Sequence, residues 1–90
     1  METTKIDFLR VNNDVNGNPR YVCHYSELLT NSESNYITGL GFSDRYNAAL
    51  NRARKIGGRK FHNKQFGGGI VFQSYNIQET ERDILNLINS

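Results

Sequence analysis

The sequence predicts an α+β fold: a single α+β domain over residues 1–90, with elements in the order βββαββα. The sheet is expected to be mostly antiparallel, with two helices packed on one face. Three observations lead to this class. Short apolar-rich or alternating runs fill the first half of the chain. An apolar stripe at helical spacing follows over residues 44–56. Asn-Gly and Gly-Gly pairs then fall where a turn or a helix end is needed. At 90 residues and 37% hydrophobic the chain can build one small core, carried largely by its five Tyr and five Phe.

The first strand is expected over Lys5–Val11, closed by the turn-rich NNDVNGNP, in which Asn16-Gly17 is a hairpin signal because both residues tolerate positive φ. Arg20–Tyr25 is the second strand, with Tyr21, Cys23 and Tyr25 on one face and Arg20, Val22 and His24 on the other. The polar TNSESN leads to a third strand over Tyr36–Phe42. Ser43 is the expected N-cap of a helix over residues 44–56, where Tyr46, Ala49, Leu50, Ala53 and Ile56 form the stripe. Gly57-Gly58 ends it by supplying a left-handed residue. Two strands are expected next, Arg59–His62 with Phe61 inward and Gly69–Tyr75, joined by a loop around His62–Gly68. Asn76 with Glu79 opens a second helix, lined by Ile77, Ile84 and Ile88.

Several function classes lose support at this point. Gly39-x-Gly41 between a strand and a helix lacks the third glycine of a dinucleotide fingerprint, and Asp44 in its place would repel a pyrophosphate. Gly67-Gly68-Gly69 is followed by no Gly-Lys-Ser/Thr and so is not a phosphate-binding P-loop. One Cys and two His cannot fill a structural zinc site, so neither a metal nor any other cofactor is expected. Cys23 reads as a small core residue rather than a nucleophile. The single cysteine points to a reducing, cytoplasmic setting, and no apolar run is long enough for a signal peptide or a membrane span.

What remains is the distribution of charge. The net charge is only +2, yet between Asp44 and Glu79 no acidic residue occurs, while seven of the eleven Lys and Arg lie there. Helix termination explains Arg54 and Lys55, since cations stabilise the negative end of a helix dipole. It does not explain the rest, because soluble surfaces ordinarily mix both signs. The predicted face uses Arg45, Arg52, Lys55, Arg59, Lys60 and Lys64 for phosphate contact and Phe66 for stacking. Gly67, Gly68 and Gly69 are expected to form a loop that lets an anion approach closely. The expected function is a small non-enzymatic nucleic-acid-binding protein, monomeric or homodimeric. The alternatives are a module or inhibitor that binds an acidic protein partner, of the kind bacterial or phage genomes encode, and a nucleotide-binding protein.

Overall fold

In the computed structural model, which describes residues 5–30, 33, 41–63 and 66–89, four strands form one antiparallel sheet in the order β1-β2-β4-β3. The strands are β1 (Leu9–Val11), β2 (Arg20–His24), β3 (Arg59–Asn63) and β4 (Phe66–Gln73). A 3-10 helix, Tyr25–Leu28, follows β2 directly. Helix α1 (Phe42–Arg54) precedes β3, and helix α2 (Ile77–Ile88) follows β4. Both helices contribute to the core on one face of the sheet: Tyr46, Ala49, Leu50, Ala53, Ile84 and Ile88 pack with Cys23, Ile70 and Phe72. The α+β class with helices on one face is therefore what the chain adopts.

The turn between β1 and β2 is held by Asp14. Its Oδ1 accepts the N–H groups of Asn16 and Asn18, both at 2.9 Å, and Gly17 takes a φ of +83°. The bonds from Asn18 and Asn16 hold the Asp14 carboxyl below its usual value. Cys23 is fully buried, and burial, with Glu27 adding to it, pushes its thiol up to about 12. A thiol so placed is a packing group and not a nucleophile.

Several expectations change: the first strand shortens to Leu9–Val11, and Tyr25 opens the 3-10 helix instead of closing β2. The third strand, Tyr36–Phe42, falls on residues 36–40 outside the described residues, and Phe42 itself opens α1 instead of closing a strand. The N-cap of α1 is accordingly Gly41, without a side-chain cap, and not Ser43. The glycine triplet lies inside β4 and not in a loop. Finally, Phe61 does not point into the core. The register sets Lys60 opposite Ile70, a core residue, and Phe61 opposite Gly69, so Lys60 takes the helix side and Phe61 the outer face. There Phe61 covers Gly69, where an added Cβ would stand 3.2 Å from its ring.

Helix ends follow local chemistry more faithfully. Gly57 has a φ of +86°, and the Gly58 N–H donates to the Ala53 carbonyl at 2.8 Å, closing α1. Asn76 caps α2, its Oδ1 accepting the Glu79 N–H at 3.3 Å. The reciprocal half of a capping box is taken by Ser74, whose Oγ accepts the Asn76 N–H at 3.1 Å. Replacing Asn76 by Ala should lower stability by about 1 kcal/mol, measured by urea unfolding, with the outcome close to zero for Asn76→Ser.

Candidate nucleic-acid interface

The acid-free segment folds into the C-terminal part of α1, the Gly57-Gly58 turn and the β3–β4 hairpin, which together make one edge of the molecule. Two clefts open there. The first, about 460 Å³, lies between the start of α1 and the hairpin and is lined by Phe42, Ser43, Tyr46, Asn47, His62 and Gly67 among others. The second, about 540 Å³, is lined by Arg54, Gly57, Gly58, Arg59 and Lys60. Lys60 borders both, so the two clefts adjoin on the α1/β3 side and together are termed the α1/β3 groove.

Placing Lys60 on the helix side gives it a defined contact. Its Nζ sits 5.8 Å from the centre of the Tyr46 ring, within the range of a cation–π interaction. Burial raises the Tyr46 hydroxyl above the usual tyrosine value, so it stays a neutral donor, bonding the Gly69 carbonyl at 2.9 Å. Phe42 stacks on Tyr46, rings 6.0 Å apart and 13° from parallel, and meets the edge of Tyr25 at 5.2 Å and 84°.

The predicted site residues divide. Arg54, Arg59 and Lys60 all line the second cleft, at the edge where β3 alternates between the two faces, and Lys55 stands exposed at the C-cap of α1. Arg45 is half-buried. Arg52 points elsewhere: its guanidinium donates to the Leu28 carbonyl and pairs with both carboxylate oxygens of Glu33, at 2.9 and 3.0 Å. It ties α1 to the 3-10 helix. Lys64 lies outside the described residues, as does the side chain of Phe66. Of the triplet, Gly67 is open to solvent with nothing within 4 Å of an added Cβ. Gly68 is backed by Tyr25 and Gly69 by Phe61. Only Gly67 retains the close-approach character the sequence suggests.

Sequence reasoning missed Phe42, read as the end of a strand, and Tyr46, read only as core. The signal was present as an aromatic pair at i and i+4, which share a helix face once the helix begins at Phe42.

The β1 edge carries charges of both signs: Lys5, Asp7, Arg10 and Glu81 line one cleft there. Glu81 of α2 accepts the Ile6 N–H at 3.0 Å beside β1, one outer strand, while Arg59 and Lys60 belong to β3, the other. Among the described residues no three His, Cys, Asp or Glu side chains stand close enough to hold a metal ion, and no helix is long and apolar enough to cross a membrane. A comparison with protein families matches residues 1–90 to the family described as Staphylococcus phage terminal repeat-encoded protein TreK. No curated protein and no solved structure matches the chain.

Proposed function

We propose, from the premise that this chain belongs to the Staphylococcus phage TreK family, that it is a small non-enzymatic protein that binds nucleic acid through the α1/β3 groove. The observation that carries this reading is that Arg54, Arg59 and Lys60 all line one cleft at the β3 edge, with Lys55 exposed beside Arg54 in the chain. Among the described residues no acidic side chain lines that cleft, so the field in it favours a polyanion. Phosphates meeting Lys and Arg release condensed counterions, which supplies affinity without sequence preference.

A salt series tests this. With about four cations engaged, duplex binding should fall roughly 100-fold between about 50 and 200 mM salt. Changing Arg54, Arg59 and Lys60 together to Gln should flatten that slope to about a quarter. Absence of binding to DNA and RNA at about 50 mM salt would falsify the reading.

One observation favours an acidic protein partner instead. The outer sheet face carries Leu9, 47% exposed, in register with Val22, and the half-buried Val71 and Phe61 lie on the same face near Arg59. If that face is the functional one, Leu9→Asp should abolish partner capture while leaving nucleic-acid titrations flat.

A further inference from the structure

We propose that the Phe42 end of the groove takes an unpaired nucleobase, stacked on the Phe42 ring, so that the protein prefers single strands to duplex. The inference rests on the nucleic-acid reading of the groove and names the form of nucleic acid it selects.

The first ground is a ring the core does not use. Phe72, Tyr25 and Tyr46 are buried, whereas Phe42 remains 54% exposed at the wall of the 460 Å³ cleft. The second is that this ring is already oriented. Tyr46 stacks against it, and Tyr25 holds it edge-on. An aromatic fixed by two neighbours loses little rotamer entropy when a third ring joins the stack. The third is a cation in the same cleft. Phe42 and Lys60 both line it, and each packs on the Tyr46 ring, at 6.0 and 5.8 Å, so a base and a phosphate of one strand have partners there.

The chemistry follows from what each form of nucleic acid exposes. A duplex keeps its bases stacked on one another and presents only phosphate to such a groove. A single strand can turn a base out onto an aromatic platform, a contact every base can make. Gly67, bare and open at the cleft, leaves room for the sugar-phosphate backbone.

The test uses the full chain with a labelled oligothymidine of about 12 nucleotides, a duplex of the same length, and a nucleoside monophosphate as competitor. The wild type should bind the single strand more tightly than the duplex. Phe42→Ala should weaken single-strand binding roughly 5- to 150-fold and leave duplex binding and its salt slope unchanged. The duplex arm also shows that the variant remains folded. Phe42→Trp should retain single-strand binding, and the protein's only tryptophan should be quenched as a base stacks on it.

Equal affinity for the two forms, or Phe42→Ala without effect, overturns the stacking inference while salt-dependent duplex binding keeps the groove reading intact. A monophosphate that displaces the oligonucleotide at equal concentration also overturns it, in favour of a small-ligand pocket. No binding of any probe at about 50 mM salt removes both.

Discussion

Gly68→Ala should destabilise the protein by about 2–4 kcal/mol, while Gly67→Ala, one residue away, should change stability by less than about 0.5 kcal/mol. The difference lies in what each added methyl would meet. At Gly68 it would stand 2.6 Å from Tyr25 Cδ1 and 3.3 Å from Tyr46 Cδ1, at a φ of +127° that L residues rarely adopt. Overpacking of a well-filled region costs about 1–3 kcal/mol, and a strained backbone adds a similar amount. The two tyrosines cannot yield easily, because they pack edge to face at 5.7 Å and Tyr46 is also pinned to the Gly69 carbonyl. At Gly67 an added methyl meets nothing within 4 Å. Urea unfolding of the two variants measures the contrast; equal effects at both positions would sink it. Since Tyr46 and Gly68 border the first cleft, Gly68→Ala should also perturb the groove.

Arg52→Ala should cost about 1–3 kcal/mol of stability and leave the salt dependence of nucleic-acid binding unchanged. Arg52 has the composition of a phosphate contact and the surroundings of a structural tie. Removing it takes a charged donor from the Leu28 carbonyl and the guanidinium from the Glu33 carboxylate, which Thr30 also holds through its N–H at 2.9 Å. A pH signature accompanies this. Burial by itself pushes the Glu33 carboxyl up, but the bonds from Arg52 and Thr30, with the Arg52 charge, outweigh it and hold it below its usual value. A depressed carboxyl stabilises the fold above its unfolded pKa, here close to 4.5, and that contribution disappears as the pH falls through the lower folded value. The wild type should therefore lose stability more steeply than Arg52→Ala as the pH drops below about 4.5. Thermal unfolding across that range checks it, and parallel curves would contradict the tie.

The two predictions also mark where the residues spoke for themselves. Hairpin, cap and helix-stop positions were legible at Asn16-Gly17, Gly57-Gly58 and Asn76, because these features depend on a few consecutive residues and their own backbone. The apolar stripe of α1 was legible for the same reason, since Tyr46, Ala49, Leu50 and Ala53 report the period of the helix that buries them. The α+β class followed from that local grammar.

The candidate site was legible only in part. The concentration of basic residues was visible, and Arg59 and Lys60 do line the groove. Helical spacing placed Arg52 beside Lys55, yet no local rule announced that Glu33, 19 residues earlier, would take its guanidinium. The register of β3 against β4 set Lys60 on the helix side and Phe61 on the outer face. A shift of one residue would have reversed both, and register is a property of two strands, not of either. So the sequence alone determined the class of fold, the helix termini and the sign of the charge on one segment, because each is a local or additive property. Which cations are free, which glycines are filled by a neighbour's ring, and that Phe42 joins Tyr46 at a cleft are decided by contacts between distant residues, and only the tertiary structure holds those.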